Sequence, residues 1–65
     1  MTEPMAYRET GVIRRICGGG HYGSIESGSL RDIYFHHSRV CSGDPEEGAE
    51  VRFTRGWRAI EIEVL

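Results

Sequence analysis

The chain has 65 residues and a mass of 7.3 kDa, which allows one small domain that buries only about 60% of the surface of the unfolded chain. Eight arginines oppose ten acidic residues, for a formal charge of -2, so the chain is not a polycation that binds nucleic acid by net charge alone. No apolar run reaches the roughly 20 residues that span a bilayer, and no signal-peptide pattern opens the chain. We therefore expect a cytoplasmic protein that does not enter a membrane.

The two cysteines, Cys17 and Cys41, are too few for a disulfide framework. Their spacing does not require a bridge, although a single disulfide stays an alternative. We expect two free thiols in a reducing compartment.

The N-terminal end of the chain carries no structural signal. Residues 1–9 include Pro4 and mix polar and apolar side chains without a period. They are predicted to form a flexible tail before a single domain of residues 10–65.

Short apolar runs separated by turn residues then predict strands in chain order. The first strand contains Val12, Ile13 and Ile16 and ends at the glycines 18–20. The second covers residues 22–26, and the third is centred on residues 33–36. A single helical turn near residues 38–41 is the most helix that the sequence predicts.

The last third of the chain predicts two more strands. After a loop at residues 42–48, the apolar and polar side chains of residues 49–54 alternate, as do those of residues 60–64. A tight turn at Arg55 and Gly56 joins the two strands, with Gly56 supplying a positive φ. Five short strands cannot form a sandwich with a sizeable core, so the sequence predicts an all-β fold in which they close into a small antiparallel barrel.

Rings alternate with apolar residues on the second and third strands. When the apolar residues face the core, period 2 places Tyr22, Tyr34 and His36 on the opposite, solvent-facing side. The residues predicted to face the core here are Ile25, Ile33 and Phe35. Exposed rings of this kind stack on unpaired bases, at about 1–3 kcal/mol per base.

The same strands carry a resemblance to a known family. Residues 32–38, Asp-Ile-Tyr-Phe-His-His-Ser, resemble the second motif of the cold-shock domain, approximately Asp-Val-Phe-Val-His-Phe-Ser. Residues 20–25, Gly-His-Tyr-Gly-Ser-Ile, are similar to its first motif, approximately Lys-Gly-Phe-Gly-Phe-Ile. Weaker similarities at residues 11–16, 48–53 and 59–62 follow in the family's order. The resemblance implies a five-stranded barrel of the oligonucleotide/oligosaccharide-binding (OB) type that binds single-stranded RNA or DNA.

Several departures from the family pattern reduce the number of rings. Ser24 stands at a phenylalanine position, Arg15 at the family's exposed tryptophan, and Gly20 at the usual lysine. Losing two stacking residues at about 1–3 kcal/mol each weakens binding tens- to thousands-fold. Arginine offsets part of this loss because its guanidinium stacks on bases and donates to phosphate.

Eight residues are therefore predicted to bind nucleic acid. The rings that stack on or contact bases are Tyr22, Tyr34, His36 and His37, and the arginines that contact phosphates or stack are Arg14, Arg15 and Arg58. Trp57 either joins these rings or packs across the mouth of the barrel. Residues 1–41 hold five arginines and four acidic residues, whereas residues 42–65 hold three and six. The acidic loop of Asp44, Glu46 and Glu47 is predicted to be a solvated rim.

Metal and catalytic sites are not predicted. No Cys-x-x-Cys or His-x-x-x-His spacing appears, and the neighbours His36 and His37 point to opposite faces of a strand. The glycine triplet lacks the Gly-Lys-Ser/Thr ending of a phosphate loop. No nucleophile has a recognisable base, so we expect neither an enzyme nor a cofactor.

Two functions fit these observations. The first is a binder of single-stranded nucleic acid with low sequence specificity, RNA being favoured over DNA. The second is a degenerate cold-shock-like barrel that serves as a protein-interaction module, with weak or no affinity for nucleic acid.

Overall fold

The computed structural model describes residues 8–65, which form one six-stranded sheet. The strands are β1 (Arg8–Cys17), β2 (Tyr22–Ser27), β3 (Leu30–His36), β4 (Val40–Ser42), β5 (Glu50–Arg55) and β6 (Ala59–Val64). Two 3-10 turns, Gly18–Gly20 and His37–Arg39, follow β1 and β3. The all-β prediction is confirmed, but the described part of the chain has six strands rather than five. Most of the predicted tail lies outside the described residues, and its last two positions, Arg8 and Glu9, belong to β1.

The order of the strands makes the sheet curl. The order is β3-β2-β1-β5-β6-β4. All neighbouring strands are antiparallel except β4, which pairs with β6 in parallel. The two edge strands, β3 and β4, are consecutive in the chain and joined only by the turn His37–Arg39. The two ends of the sheet must therefore lie close together, and the sheet forms a curled half-barrel. Between Arg8 and Leu65, no helix is long and apolar enough to cross a membrane.

Strand β4 accounts for the difference in strand number. The helical turn predicted near residues 38–41 is present as the 3-10 turn His37–Arg39, and residues 40 and 41 belong to β4 instead. In this turn His36 Nδ1 accepts the N–H of Ser38 at 3.1 Å. This turn separates β3 from Val40–Ser42. Three residues are too few to show an alternating pattern, and β4 forms because Val40 pairs with Ile62 of β6.

The core lies on the concave face of the sheet. Its members are the buried residues Ile13, Ile25, Ile33, Phe35, Val51, Phe53, Ala59 and Ile62. The predicted inward orientation of the β2 and β3 residues is confirmed. Each large side chain in this set stabilises the fold by about 1.5–3 kcal/mol through its burial.

The hairpin between β5 and β6 differs from its prediction. The prediction of a positive φ at Gly56 was wrong, whereas Glu61, inside β6, has a φ of 51°. Residues 56–58 form the turn, in which the Gly56 N–H donates to the Arg58 carbonyl at 3.1 Å. The register of β5 with β6 shifts between Arg52 and Thr54, and Glu61 lies on the β6 side of this shift.

The acidic loop forms hydrogen bonds with β1 beyond Val12, the last residue of β1 that pairs with β5. The Gly48 N–H donates to the Ile13 carbonyl at 2.8 Å, and Glu47 Oε2 accepts the Ile16 N–H at 3.1 Å. Glu47 is exposed, as predicted for a solvated rim, but its carboxylate also binds the backbone of β1. The carboxylate satisfies a backbone donor that would otherwise lie at an open strand edge.

A bidentate ion pair connects the start of β1 to the end of β5. Arg55 donates from Nε to Glu9 Oε2 at 2.7 Å and from Nη2 to Glu9 Oε1 at 2.9 Å. The Ser27 hydroxyl adds a third bond to Glu9 Oε1 at 3.2 Å. Together these bonds connect three neighbouring strands, β2, β1 and β5.

Candidate nucleic-acid interface

Two tyrosines form a contacting pair on the convex face of the sheet. Tyr22 lies opposite His36 in the β2–β3 register, and Tyr34 lies opposite Ser24, so the two tyrosines are diagonal neighbours. Each tyrosine is 42% exposed, and their ring centroids are 6.1 Å apart with 32° between the ring planes. Rings this close are in contact and leave no room for a base between them. Bases can stack only on their solvent-facing sides.

Gly18, the first residue of the 3-10 turn after β1, leaves room for the ring of Tyr22. Gly18 has a φ of 60°, and a Cβ at this position would lie 2.5 Å from Tyr22 Cε1. A side chain at residue 18 would therefore displace the ring. The sequence indicated only a flexible connection here and did not predict this contact.

A β-bulge brings two arginines to the tyrosine face. In the β1–β2 ladder Ile13 pairs with Ile25 and Arg15 with Ser24, so Arg14 is the extra residue. Both arginines are exposed, whereas strict alternation would send them to opposite faces. Arg14 Nη1 lies 3.3 Å from Asp32 Oδ1, and Arg15 lies beside the tyrosines.

Between Arg15 and the tyrosine pair lies a shallow depression, which we call the β1–β3 depression. It measures about 240 Å³ and is lined by Arg15, Cys17, Tyr22, Gly23, Ser24, Asp32 and Tyr34. This is smaller than the roughly 300–1,000 Å³ of sites for drug-sized ligands. Ser24 leaves the space open because its side chain is small.

Gly23 forms part of the floor of the β1–β3 depression. A Cβ here would collide with the Arg15 carbonyl and lie 3.0 Å from the Phe35 ring. The close approach of β1 to β2 below the depression therefore requires glycine at this position.

The two predicted histidines differ in their surroundings. His36 is partly buried, and its Nδ1 lies 2.9 Å from Ser38 Oγ while accepting the Ser38 N–H. An Nδ1 that accepts a hydrogen bond carries no proton, so the neutral ring is protonated on Nε2. His37 is exposed, and its N–H donates to the His21 carbonyl at 2.7 Å, which extends the β2–β3 ladder by one pair.

Within residues 8–65, four arginines form ion pairs with carboxylates: Arg8, Arg14, Arg52 and Arg55. In the described part of the chain, Arg15 has no carboxylate within ion-pair distance. The positive character expected beside the rings therefore depends mainly on Arg15, because Asp32 neutralises Arg14.

Trp57 and Arg58 lie far from the tyrosine pair. Thr54, near the end of β5, pairs with Arg8 at the start of β1, whereas Tyr22 pairs with Cys17 at the end of β1. Arg8 and Cys17 are nine residues apart along β1, which corresponds to about 30 Å at roughly 3.3 Å per residue. Trp57 is fully exposed at the hairpin tip, so it neither joins the rings nor packs across the barrel mouth. The eight predicted residues do not form one surface.

Asp32, Ser24 and Cys17 were not among the predicted site residues, although they line the β1–β3 depression. Asp32 could have been found from the sequence, because it precedes Tyr34 by two positions and so shares its face. Ser24 was noticed only as a missing phenylalanine. Cys17 and Cys41 are both free.

Among residues 8–65, no group of three or more His, Cys, Asp or Glu side chains is arranged to hold a metal ion. Comparisons with known proteins found no matching family model, curated protein or solved structure. The resemblance to the cold-shock domain therefore stays a prediction from the sequence.

Proposed function

We propose that this protein binds single-stranded nucleic acid, stacking bases on Tyr22 and Tyr34 and contacting phosphates with arginine. The observation that carries the proposal is the contacting tyrosine pair, each ring 42% exposed, beside an apolar depression. Every base has a π-face, so such a surface binds with little dependence on sequence. The partly buried His36 lies opposite Tyr22 and extends this surface by one ring.

The strand order supports an OB-type fold as part of this proposal. When β3, the turn His37–Arg39 and β4 are counted as one interrupted strand, the sheet has the five strands of an OB barrel. Folds of this type bind oligonucleotides on the face of strands 2 and 3. The tyrosine pair occupies that face.

RNA is the favoured ligand, as the resemblance to cold-shock domains implies. Proteins that recognise single-stranded RNA stack its bases on aromatic rings and on arginine planes. The affinity is modest because Asp32 neutralises Arg14 and the chain carries a net charge of -2. We expect dissociation constants above about 1 μM.

The alternative function, a protein-interaction module, is favoured by one observation. The Arg14–Asp32 ion pair removes positive charge from the face that would track a phosphate backbone. In that case the exposed tyrosines would contact a protein surface, where tyrosine is enriched.

Fluorescence anisotropy of labelled oligo-U, about seven nucleotides long, tests the proposal. Binding should saturate and weaken with salt at a log–log slope of about -0.7 for each phosphate contact, of which Arg15 supplies one. Oligo-dU of the same length differs only in the 2′-hydroxyl and should bind more weakly. No binding at about 0.5 mM protein in low salt would contradict the proposal and leave the protein-interaction module.

A further inference from the structure

We propose that the β1–β3 depression is a subsite for one guanine base, an inference that rests on the proposed binding of single-stranded nucleic acid. The depression joins an apolar floor to two accessible polar groups of opposite kinds. The Arg15 guanidinium can only donate hydrogen bonds, and the Asp32 carboxylate can accept them.

The space for a base lies above Ser24. This residue pairs with Arg15 on one side and with Tyr34 on the other, so it is the middle of a three-strand row. Arg15 and Tyr34 stand about two strand spacings apart, roughly 10 Å. Ser24 Oγ is out of contact with solvent and has no hydrogen-bond partner among the described residues. A buried hydroxyl without a partner is uncommon in folded proteins.

The Asp32 carboxylate can accept hydrogen bonds in addition to the one from Arg14. Its side chain is 74% exposed, and its bond to Arg14 is 3.3 Å long. Charge-assisted bonds of this kind are usually about 2.7–2.9 Å, so the contact leaves the carboxylate accessible to a ligand. Asp32 and Tyr34 lie two residues apart on one face, about 7 Å along the strand. A ring stacked against Tyr34 would present its edge to Asp32.

Guanine is the base whose edges match these groups. Its Watson–Crick edge presents two adjacent donors, the ring N1–H and the exocyclic amine, to the two oxygens of a carboxylate. Its O6 and N7 accept hydrogen bonds from arginine. Uracil instead presents one N–H between two carbonyl oxygens, which a carboxylate repels. Adenine and cytosine each present an amine beside an unprotonated ring nitrogen, so neither satisfies both carboxylate oxygens.

The test uses oligo-U heptamers whose central base is G, A, C, U or hypoxanthine. A single guanine should tighten binding about five- to a hundredfold over uracil, the range for a bidentate base contact. Hypoxanthine lacks the exocyclic amine and should give an intermediate affinity. Asp32→Asn keeps the shape of the side chain and should abolish the preference, while oligo-U should bind at least as tightly as it does to the parent because Arg14 loses its carboxylate partner. The control Asp44→Asn removes the same charge from the acidic loop and should leave the preference intact.

A second variant tests the space itself. Ser24→Phe fills the depression and adds a ring, so oligo-U should bind more tightly while the guanine preference disappears. Equal affinities for all five heptamers would overturn the subsite and leave the proposed function standing. A guanine preference that survives in Asp32→Asn would also overturn it. Failure of every heptamer to bind contradicts the proposed function, and the subsite with it.

Discussion

The ring of Tyr22 occupies the space that a side chain on Gly18 would fill. A Cβ on Gly18 would approach Tyr22 Cε1 to 2.5 Å, and the residue has a φ of 60° in the 3-10 turn after β1. The neighbouring Gly19 has a similar φ of 68°, but a Cβ there would meet no atom within 4 Å. The two glycines therefore share a backbone requirement, and only Gly18 has the contact with Tyr22.

This difference gives a prediction with a built-in control. Gly18→Ala and Gly19→Ala should each lower the free energy of unfolding by about 1–2 kcal/mol, the cost of a left-handed alanine. Only Gly18→Ala should weaken oligo-U binding, by about fivefold, because only it displaces a stacking ring. Urea unfolding and anisotropy measure the two effects separately. Equal affinities in the two variants would show that the position of Tyr22 does not matter for binding.

The two arginines of the bulge should contribute unequally to phosphate binding. Arg15→Gln should weaken oligo-U binding and reduce the size of the salt slope by about 0.7, the loss of one phosphate contact. Arg14→Gln should leave the slope unchanged, because Arg14 is paired with Asp32 rather than with the ligand. Titrations at several salt concentrations measure both slopes. If only Arg14→Gln reduced the salt slope, the phosphate contact would come from Arg14 and the prediction for Arg15 would be wrong.

The Glu9–Arg55 ion pair predicts a pH dependence of stability. The hydrogen bonds from Arg55 hold the pKa of Glu9 below its ordinary value of 4.5. Because the pKa is lowered in the folded state, the stabilisation is present above the unfolded pKa and is lost as the pH falls through the folded pKa. Glu9→Gln should therefore destabilise the protein at pH 7 by up to about 1 kcal/mol. The difference from the parent should shrink in acid.

Urea unfolding at neutral and acidic pH checks this prediction. Glu50→Gln is a matched control, because the Glu50 carboxylate forms no ion pair in the described part of the chain. It should leave the pH profile close to that of the parent. A Glu9→Gln difference that stays constant with pH would mean that the charge of Glu9 contributes nothing to stability.

Local patterns in the sequence predicted the parts of the fold that depend on neighbouring residues. Alternation placed Ile25 and Phe35 in the core and Tyr34 on the surface, because side chains of any strand alternate between its faces. The bulge at Arg14 could not be predicted, because it exists only in the pairing of β1 with β2. The distance of Trp57 from Tyr22 was missed for the same reason, since strand register is a non-local property.

Nucleic acid is expected to bind at the tyrosine pair and not at the exposed tryptophan. Tyr34→Ala and Trp57→Ala each remove one exposed ring, from sites about 30 Å apart along β1. Anisotropy titration of both variants with oligo-U distinguishes the two sites. Tyr34→Ala should weaken binding about five- to a hundredfold, and Trp57→Ala should leave it within about twofold of the parent. Loss of binding in Trp57→Ala with full binding in Tyr34→Ala would contradict binding at the tyrosine pair.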